Sequence, residues 1–155
     1  MTTETDSLYH QDFYAWIYHN IDLIRQGRVD KINLETLIEE LEGMAKRDRR
    51  ELISHLIVLI AHLLKWQFQP DHRSGSWHRS GSWRGSIREQ RCQIARQLKD
   101  SPSLKPYVFE ALLEAYPDAV EIAVEETSLP KSIFPQLCPY SVEELLREDF
   151  YPSVH

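Results

Sequence analysis

Residues 34–68 read LETLIEELEGMAKRDRRELISHLIVLIAHLLKWQF, and this stretch decides the fold. Leu34, Leu37, Ile38, Leu41, Met44 and Ala45 recur at helical spacing and mark one stripe. Leu52, Leu56, Leu59, Leu63 and Trp66 continue it in phase. Asn33 is a good N-cap, and Pro70 ends the helix because its ring blocks continuation. At 1.5 Å rise per residue the rod is about 50 Å long. The charged run Lys46-Arg47-Asp48-Arg49-Arg50 interrupts the stripe, so a bend is expected between Gly43 and Arg50. From Leu52 to Leu64 the helix is apolar on nearly all sides, which places it centrally with neighbours around it.

Upstream, residues 1–6 are polar and expected to fray. A helix is expected from Ser7 or Asp12 to Gln26, with Tyr9, Phe13, Trp16, Ile17, Ile21 and Ile24 at helical spacing. Gly27 follows as a left-handed stop, and Arg28 to Ile32 form a short turn. Downstream, Asp71 to Ser86 is rich in Gly, Ser and His and holds a tandem hexapeptide, HRSGSW at 72–77 and again at 78–83. It reads as an exposed connector, where an insertion costs little. A third helix is expected from about Ser86 to Lys99, with Ile87, Ile94, Ala95 and Leu98 inward. A fourth runs from about Leu104 or Pro106 to Glu126. Its inner face is Val108, Ala111, Leu112, Ala115, Ala119, Ile122 and Ala123, with an acidic outer stripe at Glu110, Glu114, Asp118, Glu121 and Glu125. Pro117 should kink it or remove one hydrogen bond. Pro130, Pro135 and Pro139 make 127–140 irregular, and Ser141 with Glu144 is a capping box opening a short last helix to about Asp149. No alternating strand pattern occurs. The expected fold is all-α: one domain over residues 1–155, a bundle of four main helices with one very long central helix, plus a short C-terminal helix.

The composition agrees. Of 155 residues, 42% are hydrophobic and 27% charged, which excludes a disordered chain. The net charge of −6 hides an asymmetry: residues 46–105 carry 13 basic and 5 acidic side chains, between two acidic flanks. The flanks can neutralise the middle by folding onto it, or the middle can meet an anionic partner. The opening residues carry no positive region followed by an apolar run, as a secretory leader would. The apolar run Leu56 to Leu64 is shorter than the roughly 20 residues that span a bilayer. A cytoplasmic protein without a membrane partner is expected. Cys92 and Cys138 lack metal-type spacing and are expected to be reduced thiols.

Few residues point to chemistry. Asp48, Glu51, His55 and His62 project along one side of the apolar seam of the long helix, and polar groups there need partners. One reading is a metal site at Glu51, His55 and His62. His55 and His62 lie two turns, about 10.5 Å, apart, too far to chelate one ion easily. The favoured reading is a structural ion network in which Arg84, Arg88 and Arg91 meet Asp48 and Glu51. In the connector, Arg73, Trp77, Arg79 and Trp83 mix aromatics with guanidinium groups. That mixture suits a protein interface, or a nucleic acid bound through residues 73–96; the pI near 5.6 weighs against the latter. Cys92 lies near Arg91 and Arg96, without a histidine close in sequence to activate it. The Gly75, Gly81 and Gly85 spacing matches no phosphate-binding loop, and no cofactor is expected.

Several segments resemble a known family. They are Tyr9 to Trp16, Asn33 to Glu42, His62 to Gln67, Ser82 to Arg91 and Asp100 to Leu104. Together, in this order, they are similar to the bacterial domain of unknown function numbered 29, abundant in cyanobacteria. The likeness extends over about residues 8 to 152. It implies an all-helical, single-domain cytoplasmic protein and carries no activity, ligand or catalytic residue. One departure is the hexapeptide, single in the family pattern and double here. Trp83, directly before Arg84, best matches the family position, so the copy ending at Trp77 looks like an insertion. The expectation is a non-enzymatic interaction or regulatory module that binds a protein partner or itself. The alternatives are a polyanion-binding protein and a metal-dependent enzyme.

Overall fold

The computed structural model describes residues 4–69 and 77–153. Six α-helices follow in order: α1 Glu4–Gln11, α2 Phe13–Arg25, α3 Leu34–Phe68, α4 Trp77–Asp100, α5 Val108–Thr127 and α6 Val142–Leu146. Three 3-10 turns, Val29–Lys31, Pro102–Tyr107 and Lys131–Ile133, join them. No strand occurs among the described residues, and the long helix predicted from 34 to 68 is continuous. The chain divides into two compact units, Met1–Arg47 and Asp48–His155.

In the first unit the expected single helix is two. Asp12 ends α1 and caps α2, its carboxylate accepting a hydrogen bond from the Ala15 amide at 3.0 Å. An Asp in an apolar-periodic run is a better cap than helix interior, because its side chain competes for backbone amides. Gly27 has φ of +72°, the left-handed stop expected of it. Asn33 caps α3 by accepting from the Thr36 amide at 3.3 Å. Rings of Tyr9, Phe13 and Trp16 pack on one another with centroids 4.9 to 5.8 Å apart, and the Tyr9 hydroxyl donates to Glu40 on α3.

In the second unit the core is built around the C-terminal half of α3. Leu52, Leu56, Leu59, Ile60, Leu63 and Leu64 are fully buried. Burying each such side chain contributes roughly 1.5–3 kcal/mol relative to leaving it in water. From α4, Ile87, Ile94 and Leu98 join them; Ala95, expected inward, is exposed. From α5 come Val108, Ala111, Leu112, Ala115, Ala119 and Ala123, while the acidic stripe from Glu110 to Glu125 faces solvent, as predicted. Phe134, Tyr140 and Leu145 close the core. The Ser141–Glu144 capping box forms, but α6 stops at Leu146 rather than near Asp149.

Two further boundaries differ from the expectation. Helix α4 begins at Trp77, not Ser86, so the second hexapeptide is helical rather than connector. Gly81 and the serines are poor helix formers, costing up to roughly 1 kcal/mol each against Ala. Ring contacts at Trp83 and burial at Ile87 hold this turn in register, and tertiary packing overrides the propensity. The first hexapeptide, up to its Trp77, lies outside the described residues. Helix α5 starts at Val108, with Pro102–Tyr107 tightened into a 3-10 turn, and runs through Pro117. By length and composition α3 could cross a membrane, with a mean hydropathy of 1.2; half of that window is buried inside the protein, as in the core helix of a globular fold.

Candidate functional site

The helices that carry the residues singled out in sequence meet, with Asp48 beside Gln97 and Trp66 beside Arg84, but the arginines and carboxylates form no ion network. Arg91 is buried at 5% exposure and points to the end of α6. Its Nε donates to the Leu145 carbonyl at 2.8 Å, and its terminal nitrogens to the Glu144 and Glu148 carbonyls at 3.2 and 3.4 Å. Carbonyls at a helix C-terminus lack internal partners and carry partial negative charge, so a guanidinium fork suits them. Burial lowers the Arg91 pKa from its usual value, yet the group stays charged. Arg84 lies over the rings of Trp66 and Tyr151 at 5.8 and 5.2 Å. Arg88 is exposed. Among the described residues no ion pair joins Arg84, Arg88 or Arg91 to Asp48 or Glu51. Both carboxylates are exposed and stay hydrated; the backbone carbonyl of Asp48, not its carboxylate, accepts from Gln97 at 2.7 Å. The expected network is therefore replaced by a guanidinium cap and ring stacking.

The histidine column behaves similarly. His55 Nε2 lies 3.6 Å from the Glu51 carboxylate, and its Nδ1 is 2.7 Å from the Gln90 side-chain oxygen. His62 Nδ1 meets the Val58 carbonyl of its own helix at 2.8 Å, and burial lowers its pKa. Among the described residues no group of three or more His, Cys, Asp or Glu side chains could hold a metal ion. Glu51 and His55 alone provide two ligands, fewer than zinc needs.

A group that sequence reasoning missed is Lys65. It is 5% exposed, pairs with Glu126 at the end of α5, and lies 5.6 Å from the Trp83 ring centroid. Gln69 and Ser82 line the same polar groove, of about 440 Å³. The signal was present: Glu126 falls one position off the spacing of the acidic stripe, and Lys65 is a lone charge in an apolar run. Of the proposed partner-binding set, Trp83 is half-buried with Lys65 against it. Trp77 and Arg79 lie at the start of α4 with side chains outside the described residues, as does Arg73.

The least accounted-for surface lies in the first unit. Nine large apolar or aromatic side chains there are roughly half exposed, against three buried, Trp16, Leu23 and Ile32. On α3 the exposed set is Leu34 at 53%, Ile38 at 48%, Leu41 at 57% and Met44 at 57%. Residues 34, 38, 41 and 45 share one face of the helix by spacing, and Ala45 is exposed as well. On α2 Phe13, Tyr14, Tyr18 and Ile24 are open. Of the stripe marked from 34 to 45, Leu34, Ile38, Leu41, Met44 and Ala45 are thus exposed and Leu37 is partly buried, whereas its continuation at Leu52, Leu56, Leu59 and Leu63 is fully buried. An apolar stripe left open along one helix face is a candidate interaction surface.

The family comparison follows this geometry. A protein-family model for a domain of unknown function, DUF29, matches residues 8–151. The chain belongs to the DUF29 family. Neither curated proteins nor solved structures yield a match. The DUF29 match covers both compact units, so the bare stripe of α3 lies within the family domain rather than in an appendage.

Proposed function

We propose that this DUF29 chain is an interaction module that docks a protein through the exposed face of α3. One observation carries this reading. A single helical stripe is wholly buried where it passes through the second unit, at Leu52, Leu56, Leu59 and Leu63, and bare at Leu34, Ile38 and Leu41. Apolar side chains at i, i+4 and i+7 on a helix are the anchors that helix-recognising partners bury.

The test is capture on immobilised full-length chain. Wild type and the exposed-site control Leu137→Glu should retain the same bound protein. Leu41→Glu should lose it, with the helical circular-dichroism signal intact. If Leu41→Glu and Ile38→Glu leave every interaction unchanged, the α3 face is not the docking surface.

A further inference from the structure

We infer that the polar groove around Lys65 binds a neutral polyhydroxylated ligand, the size of one sugar ring, seated against Trp83. The inference is independent of the α3 docking face, since every residue of this groove lies in the second unit. Three elements supply it: Lys65 and Gln69 at the end of α3, Ser82 and Trp83 near the start of α4, and Glu126 and Ser128 at the end of α5. The lining is mainly polar. The volume of about 440 Å³ falls within the roughly 300–1,000 Å³ of small-molecule sites.

Charge decides the class of ligand. Lys65 is 5% exposed and still lines the groove, so its ammonium is built into the fold rather than displayed on the surface. An ammonium carries three donors, and among the described residues this one has a single acceptor, Glu126. A buried donor without an acceptor is costly, and a ligand oxygen removes that cost. The Lys65–Glu126 pair has no net charge. An entering anion meets the Glu126 carboxylate and the carbonyl end of α5, and an entering cation meets the ammonium. A neutral hydroxyl gains from both partners, because it accepts from Lys65 and donates to Glu126. Gln69 donates from Nε2 to the Thr127 carbonyl at 3.3 Å, which keeps its amide oxygen as an acceptor. Ser128 has φ of +60°, where glycine is the unstrained residue, and a serine held there adds a hydroxyl to the lining.

Trp83 decides the shape. Its ring is an apolar wall, with Lys65 Nζ 5.6 Å from the centroid. A sugar ring presents C–H groups on its face and hydroxyls around its edge, which matches one aromatic wall among polar groups from three elements. A nucleobase holds its hydrogen-bonding atoms on edges in one plane and leaves most of these groups unmatched.

The experiment is a nitrogen–proton NMR titration of the full chain with glucose, galactose, mannose and N-acetylglucosamine, each taken to roughly 50 mM. At least one sugar should shift the Trp83 indole N–H and the Ser128 amide, with a Kd on the order of 1 mM. Lys65→Met keeps the apolar stem and should weaken that binding at least about tenfold. Ser128→Gly removes a hydroxyl and relieves the backbone, so it should fold as well as wild type and bind roughly fivefold more weakly. A panel in which no sugar moves these signals overturns the proposal. So does a response that both variants leave unchanged. Shifts at the same signals from adenosine or sodium phosphate, with none from any sugar, overturn the neutral polyhydroxylated ligand and give the groove to a base or an anion.

Discussion

Replacing Arg91 by Met isolates what holds the last helix. The thioether chain keeps much of the apolar volume of the arginine stem and removes only the guanidinium. Three carbonyls, of Glu144, Leu145 and Glu148, lose a charged donor at 2.8 to 3.4 Å. Hydrogen bonds to charged groups contribute about 1.5–3 kcal/mol each, but the longest is weak and the freed carbonyls regain some water. The expected loss is therefore about 3 kcal/mol. For a chain of 155 residues each kcal/mol moves Tm by about 2–4 °C, so the midpoint should fall by about 9 °C. Arg91→Lys keeps the charge but not the planar fork, and should recover about half of it. Arg88→Met, at an exposed site on the same helix, should stay within about 0.5 kcal/mol of wild type. Urea unfolding followed by circular dichroism gives the energies, and hydrogen exchange at the α6 amides localises them. An Arg91→Met variant within about 1 kcal/mol of wild type, with α6 still protected, would refute the reasoning that the guanidinium fastens this helix.

Other consequences are open to simple measurements. Lys65→Met should be close to neutral, since it replaces a buried cation by an apolar chain of similar length, while Glu126→Gln should cost about 1 kcal/mol by leaving that cation without its counter-charge; denaturant midpoints rank the two. Leu59→Ala, at a fully buried position, should cost about 2–5 kcal/mol in the same assay, whereas Leu41→Glu should change stability little. Burial pushes the Cys138 thiol up to about 11 and the Tyr116 hydroxyl up to about 12, from 9.0 and 10.0. Unfolded chains then release these protons first, so stability should fall as pH rises above about 9 and continue falling to about 12; a thermal midpoint flat between about pH 8 and pH 11 contradicts this. His62 works in the opposite direction. Its pKa is lowered by burial, so the unfolded chain takes up a proton first as pH falls below 6.5, and acid should destabilise the fold, an effect removed in His62→Gln.

The helices were legible where periodicity was long and caps were explicit. Leu34 to Phe68, the Asn33 cap, the Gly27 stop and the Ser141–Glu144 box all follow from local chemistry, and all occur. Asp12 was legible as a possible start, but not that another helix precedes it, because α1 draws its stability from ring packing and the Tyr9–Glu40 bond. The start of α4 was hidden, since Gly and Ser predict a loop and only the ring contacts of Trp83 say otherwise. Arg91 was read correctly as inward-facing and incorrectly as a partner of Asp48 and Glu51. Its true acceptors are backbone carbonyls more than fifty residues away, which every sequence possesses and no side-chain pattern advertises. The α3 stripe was read as one in-phase apolar face from Leu34 to Trp66, and its two halves meet different fates. Apolar spacing reports which face wants cover, and says nothing of whether this chain or another provides it.

The second hexapeptide begins one residue after the first turn of α4 opens at Trp77, upstream of every core anchor on that helix. The phase of Ile87, Ile94 and Leu98 is counted from their own packing, not from where the helix starts. Six added residues inside α4 would rotate everything beyond them by about 240° and unseat those anchors. Added before Trp83, they lengthen only the lead-in. The second copy thus ends before the first core anchor of α4, so a change of length there leaves the phase of those anchors unchanged.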